Sequence, residues 1–312
     1  MDNTERYRKQ VQLLLQVSPL VDKERCFALK GGTAINLFVR DFPRLSVDID
    51  LVYLPIESRD TSLENIQRAL ARIAEDIERR LRGVTVTQAY EAKPDALRLV
   101  VQRGTVRIKV ELSPVLRGSV YEPERRAVSE RVEDEFGYAE MQVVSLADLY
   151  AGKICAALDR QHPRDLYDIH LLLQNEGLTE AIRKATLVYI ISHHRPIAEL
   201  LNPHRKDISD VYRGEFAGMA SDDVPLETLE AAREELVRLL HCSISDAEKQ
   251  FLLSFKNKTP DWALLGLDGI EALPAVRWKM KNLEQMRAPS HHQAYKNLED
   301  VLHRLGRDEE LE

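Results

Sequence analysis

The sequence predicts an α+β protein: an N-terminal mixed β-sheet domain over residues 1–145 and a C-terminal helical domain over 146–312. Three observations predict this division. Short alternating runs bounded by turn residues cluster before residue 145, and a two-residue period is that of half-buried strands. Apolar residues at three- and four-residue spacing dominate after Ser145, the period of amphipathic helices. The 312 residues are 44% hydrophobic and 30% charged, enough for two ordinary cores.

In chain order, residues 4–17 place Tyr7, Val11, Leu14 and Leu15 on one helical face, ending before Pro19. A strand at about 26–30 meets the Gly31-Gly32 turn, and Ala34–Arg40 reads as a short helix broken by Pro43. Val47–Leu54 alternates as a strand. Residues 60–82 carry a stripe of Leu63, Ile66, Leu70, Ile73, Ile77 and Leu81, stopped at Gly83. Strands follow at Val84–Ala89, Ala96–Gln102 and Thr105–Ser113, the last two joined at Arg103-Gly104. Residues 114–139 show no period and read as a loop or insertion, before a short strand at Met141–Val144. Helices are then expected at about 145–159, 163–175, 178–192, 225–240, 244–256, 274–287 and 290–305, with Ser145 and Ser245 as N-caps. No internal repeat is visible, and the acidic tail Asp308–Glu312 is expected to fray.

Three scattered cysteines without a CxxC pair point to a reducing cytoplasm. The N-terminus does not resemble a signal peptide, and no apolar run approaches membrane-spanning length, so no membrane partner is expected. The net charge of −7 gives no global case for nucleic-acid binding but leaves room for a basic patch.

The chemistry concentrates between Leu29 and Leu54. On a strand, Asp48 and Asp50 share a face, with α-carbons roughly 6.6 Å apart. Such a pair describes either a solvated acidic edge or an oxygen site for one or two Mg²⁺ ions. The glycines upstream favour the second. Gly31-Gly32 lets backbone N–H groups approach a phosphate, and a helix start adds favourable partial charge. Ser46 lies two residues before Asp48, so phosphate on Ser46 would repel a triphosphate. Glu111 is the natural third carboxylate if its strand neighbours the DxD strand; otherwise it belongs to a solvated face with Arg107 and Lys109.

Two later helices carry charge on faces that should be apolar. Lys153 falls within the stripe Leu146, Leu149, Tyr150, Ile154 and Ala157, where it must snorkel, pair or reach a site. Asp165 lies on the inner face defined by Leu166, Ile169, Leu172 and Leu173, with Asp168 on its flank and Arg164 alongside. Asp165 also suits the dipole of its helix N-terminus. Together these residues suggest a shared polar pocket. The pairs His193-His194 and His291-His292 are adjacent, and helix neighbours diverge, so no zinc site is expected. No P-loop and no GxSxG motif is present.

Gly31-Gly32-Thr33, Arg44-x-Ser46-x-Asp48-x-Asp50, Lys153 and Arg164-Asp165-x-x-Asp168 together resemble the AbiEii/AbiGii toxin family of nucleotidyltransferases, which includes the MenT toxins. The motifs cover residues up to about 175; the segment LSFKNKTPDWALLGL (253–267) matches only in character. The resemblance implies a DNA polymerase β-like nucleotidyltransferase fold and a role as a toxin in toxin–antitoxin and phage-defence (abortive infection) systems, paired with a separate antitoxin. It also implies NTP-dependent nucleotide addition to RNA, the 3′ end of tRNA foremost, blocking translation. By position, Asp48 and Asp50 would bind Mg²⁺. Gly31, Gly32 and Ser46 would line the triphosphate, and Thr33 would stand in for a serine hydroxyl. Lys153 would contact the triphosphate, with Arg164 beside it, and Asp168 or Asp165 would be the essential late acid. The helical domain would complete the active site. Arg40, Arg44, Arg103, Arg107, Lys109, Arg125 and Arg126 are candidates to track an RNA backbone. The competing readings are modification of a protein or small molecule by the same chemistry, and an inert binding module.

Overall fold

The computed structural model describes residues 3–93 and 96–305. The expected acidic tail lies outside the described residues. The chain forms two compact units, Met1–Ser145 with Met219–Asp222, and Leu146–Gly218 with Asp223–Glu312. Residues 219–222, assigned by sequence to the helical part, thus belong to the sheet unit.

The sheet unit is built on seven strands: β1 (Phe27–Lys30), β2 (Ile49–Tyr53), β3 (Val84–Gln88), β4 (Arg98–Arg103), β5 (Val106–Arg117), β6 (Glu124–Ala127) and β7 (Glu140–Val143), in the order β3-β4-β5-β2-β1-β7-β6. The pairs β2–β5 and β1–β7 are parallel and the others antiparallel, so the sheet is mixed. Helices α1 (Asn3–Val21) and α3 (Arg59–Arg80) pack on it, α1 against β5 and β7 and α3 against β3 and β4. Ile66, Leu70, Ile73 and Ile77 of the expected stripe are buried, with Ile49, Leu51, Val101, Ile108 and Val110 from the strands. Burying such side chains is the main favourable term in folding.

Sequence patterning fails where burial or shortness overrides it. α1 continues through Pro19 instead of stopping, because Leu20 and Val21 are buried beyond the expected end. Ser18 bonds back from its hydroxyl to the Leu14 carbonyl, 2.9 Å, in the turn the proline weakens. After α2 (Gly31–Thr33), Ala34–Val39 forms a π-helical turn with Ala34 through Phe38 all buried. Residues 114–139 are not a loop. β5 runs to Arg117, β6 pairs with β7, and α4 spans Glu130–Phe136. The charged edge strand ERRA and a helix with Val132 as its buried residue leave no apolar period to read.

The helical unit contains α5 (Leu146–Asp159), α6 (Pro163–Asn175), α7 (Glu180–Ser192), α8 (Ile197–Leu201), α9 (Ser209–Glu215), α10 (Leu226–Ser243), α11 (Asp246–Lys256), α12 (Pro274–Glu284) and α13 (Ala288–Arg304). α5 packs on α6 and α7, and α10 on α6. The sequence missed α8 and α9, of five and seven residues, because neither is long enough to show a helical period. No helix among the described residues is long and apolar enough to cross a membrane.

Ser245 caps α11 as expected. Its hydroxyl accepts from the Glu248 N–H, and the Glu248 carboxylate accepts from the Ser245 N–H at 2.8 Å. Ser245→Ala should lower stability by about 1 kcal/mol, read as a shift in the urea midpoint at constant slope.

Candidate active site

β2 lies between β1 and β5, and its register assembles the site. Asp50 is opposite Lys30 of β1 on one side and Glu111 of β5 on the other. Directly paired residues stand on the same face of a sheet. Lys30, Asp50 and Glu111 therefore form a row across three adjacent strands. Glu111 also attracts a cation of its own: Arg98 Nε is 2.7 Å from its Oε1, an ion pair misaligned for a hydrogen bond. Lys109 lies farther off, at 3.9 Å.

The glycines are required by what lies against them. Gly31 has φ 77, a conformation that favours glycine, and a Cβ there would be 2.7 Å from Asp50 Oδ2. A Cβ on Gly32 would be 2.9 Å from both Arg44 Nη2 and Ser46 Oγ. The Gly-Gly turn thus brings a carboxylate, a guanidinium and a hydroxyl against bare backbone.

Asp48 is held differently from the sequence expectation. β2 begins at Ile49, so Asp48 lies in the approach to the strand. Thr33, fully buried, donates its hydroxyl to the Asp48 carbonyl at 2.5 Å, with Ser46 Oγ 3.0 Å away. A hydroxyl has one proton, so Ser46 must donate to Thr33. The relay Ser46 to Thr33 to Asp48 fixes this segment where no ladder does. Thr33 is committed to this bond, which makes it a positioning residue. Asn36 adds a bond from Nδ2 to the Gly32 carbonyl, 2.8 Å. On the other side of the segment, Leu45 N–H bonds to the Met219 carbonyl and Ser221 N–H to the Pro43 carbonyl.

Of the basic side chains expected to follow RNA, Arg107 and Lys109 alternate with Glu111 on one face of β5. Arg44 is buried and donates to the Leu45 carbonyl. Arg125 is paired with Asp22 and Glu140, and Arg126 with Glu124. These three are held by their own neighbours.

In the helical unit, α5 and α6 bring together the charges that sequence placed on their inner faces. Lys153 Nζ is 2.8 Å from Asp165 Oδ1 and 3.0 Å from Asp168 Oδ2, and all three are buried. One lysine against two carboxylates leaves a negative charge, and Arg160 balances it. It reaches Asp165 through Nε at 2.5 Å and Nη2 at 2.9 Å. Burial alone would raise the Asp165 carboxyl, but Lys153 and Arg160 overcome it and hold the group well below the usual carboxylate range. Sequence reasoning missed Arg160 because it follows α5 directly, off any apolar stripe. It chose Arg164 instead, which lies at the solvent edge with Glu215, 3.3 Å away. His193 and His194 do not diverge as helix neighbours would. They follow α7 in a turn, with ring centroids 4.3 Å apart, and their ligand atoms lie within 4.8 Å of one another and of Asp159.

The family described as nucleotidyl transferase AbiEii toxin, type IV TA system, matches residues 12–282. The chain belongs to the AbiEii family. It is therefore a nucleotidyltransferase, and a toxin of a type IV toxin–antitoxin system, a class that implies an antitoxin partner. Among solved structures, this AbiEii chain is similar to MenT4, a nucleotidyltransferase toxin from Mycobacterium tuberculosis. The TM-score is 0.60 at 17% identity, over 89% of this chain and 90% of that one, a likeness of fold. No curated protein matches the chain in sequence.

Two outcomes follow from this geometry. Gly31→Ala should cost about 1–3 kcal/mol through positive-φ strain and the Asp50 contact. Gly104→Ala, at φ 58 with open space around it, should cost less; urea unfolding compares them. For Asp165, a lowered native pKa means its contribution is complete above the unfolded value near about 4 and is lost as pH falls through the native one. Asp165→Asn should therefore lose about 3–5 kcal/mol at pH 7. It should also show a shallower fall in stability below pH ~4 than the unaltered protein, measured by urea unfolding across pH.

Proposed function

We propose that this toxin transfers a nucleoside monophosphate from an NTP to RNA, the 3′ end of tRNA foremost, and so blocks translation in the cytoplasm. The observation that carries the reading is the row of Asp50 and Glu111 on neighbouring strands, with Gly31 against the Asp50 carboxylate. Asp48, Asp50 and Glu111 offer only oxygen donors, the set that hard divalent cations prefer. They would hold Mg²⁺, and two ions are proposed. Bound there, Mg²⁺ would lower the cost of charge on the attacking and leaving oxygens.

The chain's own residues have separable parts in this reading. Gly31 and Gly32 keep side-chain bulk away from the phosphates, while Arg44 and Ser46 gather beside them. Ser46 donates to Thr33, so it would meet a phosphate only by turning its proton away. Phosphorylation of Ser46 would break that bond and displace the relay to Asp48. In the helical unit Lys153 is the proposed cation for the triphosphate. Asp165 and Asp168 both lie within 3.0 Å of its ammonium, which supports a shared role for the two acids rather than a choice between them. Arg107 and Lys109, on the Glu111 face, are the basic residues best placed on the sheet for an RNA backbone.

The test is transfer of each of the four labelled NTPs to purified tRNA, with total protein as a parallel acceptor. Asp48→Ala and Asp50→Ala should each lower transfer by at least about a thousandfold, the equivalent of roughly 4 kcal/mol, and should relieve growth inhibition. Label in protein alone would reject the RNA acceptor. Unchanged transfer by Asp50→Ala would reject the site.

A further inference from the structure

One cation on the face that carries Asp50 and Glu111 has no partner of its own. The row through Asp50 extends across four strands, because Arg98 of β4 is opposite Glu111 of β5. In order it reads Lys30, Asp50, Glu111, Arg98, two acids between two bases. The Arg98 end is closed by the ion pair with Glu111 at 2.7 Å. The Lys30 end is open. Opposite charges facing each other across a strand pair normally attract, and a lysine side chain is long enough to close the gap. Among the described residues, however, the Lys30 ammonium has neither a hydrogen-bond acceptor nor an ion-pair partner. The Asp50 carboxylate has no such partner either, and lies against the Gly31 backbone instead.

Lys30, Asp50 and Glu111 are all half-buried, so this face is partly walled and still open to solvent. The four charges of the row sum to zero. A divalent ion between the acids would make the sum positive and would repel the Lys30 ammonium. That cost disappears if the ion arrives with an anion. A triphosphate supplies one, with several acceptor oxygens and more negative charge than one divalent ion neutralises. Lys30 also directly precedes the Gly31-Gly32 turn, where bare backbone leaves room for phosphates. The other proposed cation, Lys153, already has Asp165 at 2.8 Å and Asp168 at 3.0 Å. Lys30 keeps all three of its donors for a ligand.

We infer that Lys30 binds a phosphate of the incoming NTP and makes metal and nucleotide binding at this face depend on each other. The inference rests on the reading of Asp50 and Glu111 as the metal site. Without nucleotide, Lys30 opposes a divalent ion beside Asp50. With nucleotide, the ammonium and the ion hold the triphosphate between them. Each ligand then strengthens the binding of the other, by the same factor in both directions. A lysine that only balanced Asp50 would pair with it directly.

The test is the affinity of the full chain for Mn²⁺ and for a non-transferable NTP analogue, each measured with and without the other. Lys30→Gln should weaken analogue binding in the presence of Mn²⁺ at least about tenfold. It should leave Mn²⁺ binding without the analogue as tight as before or tighter, and lower the coupling between the two. Lys30→Arg should restore most of the analogue affinity, and binding of purified tRNA should be unchanged in both variants. If Lys30→Gln does not fold, Lys30→Met is read in the same way. A Gln variant with undiminished analogue affinity would overturn the assignment of Lys30. So would one that also loses Mn²⁺ binding without the analogue, the mark of a structural role, or one that loses tRNA binding only. An unaltered protein that binds Mn²⁺ but gains no affinity for it from the analogue overturns this inference and leaves the metal reading standing. One that binds neither overturns both.

Discussion

The contact between the Gly31 backbone and the Asp50 carboxylate is the constraint on which the sheet unit's chemistry depends. A side chain at residue 31 would press on Asp50 Oδ2, with its Cβ only 2.7 Å away, and the positive φ there would resist one in any case. With glycine, β1 can end beside β2 and turn at once into a helical segment. The carboxylate is then left at the strand end, in register with Glu111. Two acids on adjacent strands repel in the absence of a cation. Arg98 answers part of that repulsion at Glu111, as would a hard divalent ion.

The helical unit solves a related problem by the opposite route. Its acids are deeply buried, so their charges must be balanced inside the chain. Lys153 and Arg160 face Asp165 and Asp168, two positive charges against two negative. Removing one member would leave a buried charge uncompensated, which is costlier than any single bond in the group is favourable.

Much of this was legible in the sequence, for physical reasons that also define where legibility ends. Gly31-Gly32 and Asp50 could be read because glycine and acid in an alternating strand are unusual locally. Lys153 and Asp165 could be read because charge within an apolar stripe needs a partner, and the structure supplies each with the other. Asp48 was expected on the strand, but its position is set by the Thr33 hydroxyl, and side-chain relays have no period. Arg160 escaped for a similar reason: it follows the end of α5, where no stripe marks an inner face. His193 and His194 lie just past the end of α7, where the divergence of helix neighbours no longer applies. The charged edge strand β6 and the short helices α4, α8 and α9 carry too little apolar pattern to be seen.

The central claim is that Asp50 and Glu111, with Asp48, form one oxygen site for divalent cations. Counting bound Mn²⁺ by electron paramagnetic resonance, with a non-transferable NTP analogue present, tests it most directly. The account predicts tight binding that falls at least about tenfold in Glu111→Gln and further in Asp50→Asn, with both variants folded. Binding in both variants as tight as in the unaltered protein would contradict it.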